Sequence, residues 1–129
     1  AIAHGTFSET SGTIDLPIAK SNTEPLVRIV CPEGQRAVTH YKVLKLLNVG
    51  TLVYLQLDTG RTHQIRVHMS HIGHPLFGDF LYGKTEPELI TRQALHSTMI
   101  SFVHPVTFEH INVTLDMPQD MQILVRKLS

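Results

Sequence analysis

The sequence predicts an α+β domain, a mostly antiparallel sheet with few helices, and three observations predict it. Residues 36–47 and 51–58 are apolar-rich runs on either side of an Asn48-Val49-Gly50 turn, the strongest hairpin signal in the chain. Residues 94–103 and 108–117 alternate in the manner of strands and are separated by the break at His104-Pro105. Helical spacing shows in only two places, at Ile65, Met69 and Ile72 and at Met121, Leu124, Val125 and Leu128.

Taken in order, residues 1–7 read as a short apolar strand ended by the turn-rich SETSG. Ile14, Leu16 and Ile18 alternate, and the proline among them marks an edge strand or extended segment. Residues 26–31 form a further strand closed by the turn PEGQ, with Cys31 as a small buried apolar residue. The two arms of the central hairpin place Val43 beside Leu44 and Leu52 beside Val53, so both faces are apolar and both strands are expected to be central. A helix follows with Thr62 as its expected N-cap, and Gly73 and Pro75 stop it. Val67 lies across the wheel from Met69, so this helix is expected to be covered on more than one face. Residues 74–84 are loop, 86–93 a helical turn, and Pro118 opens the closing helix.

Composition excludes several classes of function. With 129 residues, 42% of them hydrophobic, the chain can bury a core. No apolar run approaches the roughly 18 residues of a membrane-spanning helix. The single cysteine forms no internal disulfide, which fits a reducing, cytoplasmic setting. The formal net charge is zero, against a uniformly basic nucleic-acid-binding tail. Between residues 36 and 84, however, six basic residues meet only Asp58 and Asp79, so positive charge gathers around the middle of the chain.

The densest stretch is TGRTHQIRVHMSHIGHPLFGDFLYG, residues 59–83, with two arginines, four of the nine histidines and four glycines. GRTHQIRVHMSHIGHPLFGDFLYG closely resembles the third motif, with its G-x-P-x-x-G-D-x-x-Y-G loop, of the RluA/RluC/RluD-type RNA pseudouridine synthase family. The resemblance extends over nearly the whole chain through AIAHG, ATHYKVL and RQALHSTMISFVHP. It implies a pseudouridine synthase catalytic fold and isomerisation of uridine in structured ribosomal or transfer RNA, with no cofactor and no metal. The family's R-L-D-x-x-T-S-G block, which carries the catalytic aspartate, has no counterpart in these residues. Residues 1–129 are therefore expected to be the C-terminal part of a catalytic domain and to be inactive alone.

The same resemblance makes Arg66 the partner of that aspartate. A guanidinium suits the task, since it stays charged when buried and grips a carboxylate bidentately. Arg66 sits about 60° from Met69 at about 100° per residue, on the flank of the apolar face. The alternative is a scaffold pair with Asp58 or Asp79. Ile65 is either core or the floor of a uracil pocket. Gln64 can meet a base edge or neighbouring backbone, and Arg61 an RNA phosphate or its own loop. Two other classes stay open: a non-catalytic RNA-binding module, and a metal-binding domain built on the His68/His71 pair at i, i+3.

Overall fold

The computed structural model describes residues 1–129. The elements are β1 (Ile2–His4), β2 (Ser11–Asp15), β3 (Ile18–Lys20), β4 (Arg28–Val30), β5 (Val38–Leu46), β6 (Gly50–Leu57), α1 (Gln64–His71), β7 (Met99–Val103), β8 (His110–Thr114) and α2 (Gln119–Leu128). The hairpin β5–β6 is the centre of a four-stranded antiparallel sheet in the order β1-β6-β5-β2. β2 occupies the edge, as the nearby proline predicts, but it stops at Asp15. Pro17 separates it from β3, which pairs with β4 as a small sheet of its own.

Alternation along the strands sends side chains to two cores. Ile2 and Leu52 join Leu47, Phe77, Ile90 and the α2 residues Met121, Leu124 and Leu128. Ala3 and Val53 join Phe7, Ile14, Leu76 and the α1 residue Met69. The sheet is thus covered on both faces, as the doubly apolar arms predict. Leu44 departs from that expectation. It is the extra residue of a β-bulge between Val43 and Lys45, and it remains exposed. Val67, on another face of α1, packs with Ile18 and Ala37 in a third cluster, so the helix is covered on two sides.

The start of α1 differs from the sequence expectation. Thr62 is not the N-cap; His63 is, with φ of 57° and no capping side chain. The C-terminal stop is as expected. Gly73 has φ of 89°, its N–H bonds to Ser70 O, and His74 N–H bonds to Met69 O, the pair of bonds that defines a Schellman motif.

Three further expectations are corrected. Cys31 lies just past β4, half-buried, and its thiol donates to Glu33 Oε2 at 2.9 Å. The strand expected from residue 94 begins only at Met99, because Ala94 is used elsewhere: its N–H bonds to Phe77 O and its carbonyl accepts from Ile2 N–H. β8 is shorter than residues 108–117, and the β7–β8 hairpin carries exposed Met99, Ile100, Phe102, Val103 and Val113 rather than one buried face. Residues 86–90 do form a single turn, closed by Ile90 N–H on Glu86 O. Pro118 precedes α2 as its N-cap.

Candidate active site

Segment 59–83 is a knot of polar side chains that mostly satisfy one another. Gln64 lies at the first position of α1, fully inside. Its Oε1 accepts from Thr59 Oγ1 at 2.8 Å and from Arg61 N–H at 3.0 Å, and its Nε2 donates to Val38 O at 2.9 Å and to Thr39 Oγ1 at 3.0 Å. Every hydrogen-bonding position of the amide is taken. Gln64 therefore fastens α1 to β5, and of its two alternatives the contact with backbone is the one present.

His68, one turn on, continues the chain of bonds. Nε2 lies 2.8 Å from Leu16 O and must donate, so Nδ1 of the neutral ring accepts from Thr39 Oγ1 at 2.8 Å. Burial pushes the pKa of His68 down, with the bond to Leu16 opposing, so the fold holds this ring neutral. Both nitrogens of His68 have partners within the chain, while His71 is exposed. His74 Nδ1 donates to His4 O, and its ring stacks on Phe7 at 4.1 Å.

Arg66 is also inside. Nε donates to Asp79 Oδ2 at 2.9 Å and Nη2 to Asp79 Oδ1 at 2.7 Å, a bidentate pair with side-chain exposures of 8% and 0%. Of the two scaffold partners weighed for it, Asp79 is the one present; Asp58 meets His40 instead. Burial works to raise the pKa of Asp79. The bonds from Arg66 and from Tyr82 N–H, the guanidinium charge and the bond from Leu81 N–H outweigh burial, and the carboxyl sits below the usual range. Nη1 of Arg66 makes no hydrogen bond within the chain. The guanidinium carbon lies 5.5 Å from the centre of the exposed Phe80 ring and 5.2 Å from that of Tyr82.

Tyr82 ties these parts together. Its hydroxyl accepts from Arg28 N–H at 2.9 Å and meets His63 Nδ1 at 2.8 Å, while its carbonyl accepts from Ser70 Oγ at 2.9 Å. Burial, then the charges of Arg66 and Arg28, push the pKa of His63 down, with Asp79 opposing. Gly78, at φ of 73°, lets the loop pass the 90–92 segment; a Cβ there would overlap the Arg92 carbonyl. Of these partners, the sequence offers Asp79 only as a scaffold pair and His68 only as a metal candidate, and gives Tyr82 no role, although each stands in the same motif.

Ile65 faces a different space. With Ala1, Leu52, Leu55, Leu57 and Leu95 it lines an apolar groove of about 650 Å³ between β6 and β7. Beyond Val53, β6 has β5 on one side and no strand on the other. Arg61 borders a second, polar cavity, and its Nε donates to Arg36 O at 2.8 Å, so its loop-fixing role is realised.

Residues 1–71 match the pattern of the family described as RNA pseudouridylate synthase. The chain belongs to this RNA pseudouridylate synthase family. Relatives include an uncharacterised RNA pseudouridine synthase, YjbO, of Bacillus subtilis, 51% identical over 126 residues that make up 98% of this chain and 44% of that protein. Another is the ribosomal large subunit pseudouridine synthase D of Vibrio cholerae, 43% identical over 134 residues, 94% of this chain and 41% of that protein. The structure of human RNA pseudouridylate synthase domain containing 1 superposes with a TM-score of 0.79 at 29% identity, over 90% of this chain and 52% of the other. The chain spans less than half the length of the curated relatives named here. Its pseudouridine synthase fold is α+β, as the sequence predicts.

Proposed function

We propose that this chain is the C-terminal part of the catalytic domain of an RNA pseudouridine synthase acting on uridine in structured ribosomal or transfer RNA in the cytoplasm. The observation that carries the reading is the unused edge of Arg66. A guanidinium has two forks; Asp79 holds the Nε/Nη2 fork rigid, and Nη1 with the second Nη2 proton is left to grip another carboxylate. The catalytic aspartate of the remaining part of the synthase is the group that would take it. Fixed this way, Arg66 needs no reorganisation to keep that aspartate ionised.

Breaking a uridine N1–C1′ bond and rejoining the base through C5 requires a carboxylate at the ribose and an apolar surface for the flipped base. Ile65 supplies such a surface in the groove, and the remaining half of the domain is its proposed cover. The unpaired edge of β6 and the half-length match to relatives support that arrangement.

The test is tritium release from RNA labelled at uridine C5. The full-length synthase is expected to release tritium and the 129-residue chain alone to release none; release by the chain alone would overturn the reading. Arg66→Ala by itself strands Asp79, so the better variant is the double change Arg66→Gln with Asp79→Asn. A folded double variant that retains turnover would make Arg66 scaffold only.

A further inference from the structure

The polar cavity near the start of α1, about 450 Å³, gathers Lys20, Arg28 and Arg61 from three places in the chain, with Glu33 as its only carboxylate. Lys20 and Arg28 are direct partners across the β3–β4 ladder, so their side chains leave the same face side by side. Like charges in that position oppose pairing. None of the three cations has a carboxylate partner in the chain. Arg61 uses Nε on the Arg36 carbonyl and keeps its outer nitrogens free, and Glu33 is engaged by the Cys31 thiol. An uncompensated cluster of this kind, two of its members on three-residue strands, is what an anion from outside would neutralise.

The cavity is also in the right place. Arg28 N–H and His63 both bond to the Tyr82 hydroxyl, and the guanidinium of Arg66 lies 5.2 Å from the centre of the same ring. Tyr82 therefore links the backbone of Arg28 in β4 with the buried arginine. The geometry points to Lys20 and Arg28, together with Arg61, as a clamp for the RNA phosphodiester backbone next to the target uridine. This rests on the synthase reading. The cluster contacts phosphate rather than bases, so it sets register and affinity and leaves sequence choice to other parts of the surface.

The test measures the Kd of the full-length synthase for a structured ribosomal RNA fragment across a salt series. Lys20→Gln and Arg28→Gln should each lower the slope of log Kd against log salt by about 0.7–0.9, and the double variant by about twice that. Lys20→Arg should keep the wild-type slope. Glu33→Gln removes the opposing charge at an exposed site and should tighten binding. A double variant with wild-type affinity and slope overturns the clamp while leaving the synthase reading intact. A full-length protein that neither binds RNA nor releases tritium overturns both.

Discussion

The interlocked segment 59–83 and the β7–β8 hairpin are opposites in how they treat their side chains. The first is rich in charged and polar residues, yet Gln64, Arg66, His68 and Asp79 are buried and bonded to one another or to backbone. The second is rich in apolar residues, yet Met99, Ile100, Phe102 and Val103 face outward. A two-stranded hairpin is marginal alone, and this one adds no residue to any of the three cores. Stability in this chain resides in polar satisfaction around α1 and in the two faces of the sheet. The hairpin keeps its apolar side chains on the surface.

The contrast can be broken most sharply at Arg66. Arg66→Ala leaves the Asp79 charge buried and unpaired, and should cost about 3–5 kcal/mol in a urea titration. A loss under 1 kcal/mol would mean that the pair is not the keystone described. Gly78→Ala comes next, since its positive φ alone carries a cost of about 1–3 kcal/mol before the overlap with the Arg92 carbonyl is counted. Its melting temperature should fall accordingly.

Acid should find the same segment. His63 and His68 have folded pKa values pushed down, so the unfolded chain binds more protons and stability falls as pH drops below about 6.5. Asp79 is also depressed. Its contribution is complete above the unfolded value of about 3.9 and disappears as pH falls through the folded one. Melts from pH 8 to pH 3 should show both declines, and Asp79→Asn should remove the lower. The smallest effect belongs to the hairpin: Phe102→Ser should change stability by no more than about 0.5 kcal/mol while reducing aggregation. A large loss there would show that the hairpin is structural after all.

Much of this was legible in the sequence. The hairpin of β5 and β6, the helix at Ile65 and Met69 and its Gly73 stop follow from local periodicity and turn chemistry. The failures share one cause. The local rule puts the cap of α1 at Thr62, but His63 takes that place, and contacts from afar join the local ones there, through Gln64 to Val38 and Thr39 and through His63 to Tyr82. For Gln64 the sequence leaves a base edge and neighbouring backbone open; only the fold shows its partners more than twenty positions away, Val38 and Thr39. Residues 94–98 continue a strand pattern but are diverted by β1 and Phe77. Lys20, Arg28 and Arg61 carry no common motif; the β3–β4 register brings the first two together, and the loop before α1 adds the third.

The uncapped start of α1 has a consequence for the order of folding. Eight residues with no acidic side chain in the first turn and no capping bond are far too short to form a helix alone. The bonds that hold its start come from Thr59 and Arg61 nearby and from β5 and Tyr82 at a distance, so α1 gains its full set only once the β5–β6 hairpin and the loop carrying Asp79 are in place. The geometry of the segment richest in chemistry therefore depends on the β5–β6 hairpin being in place.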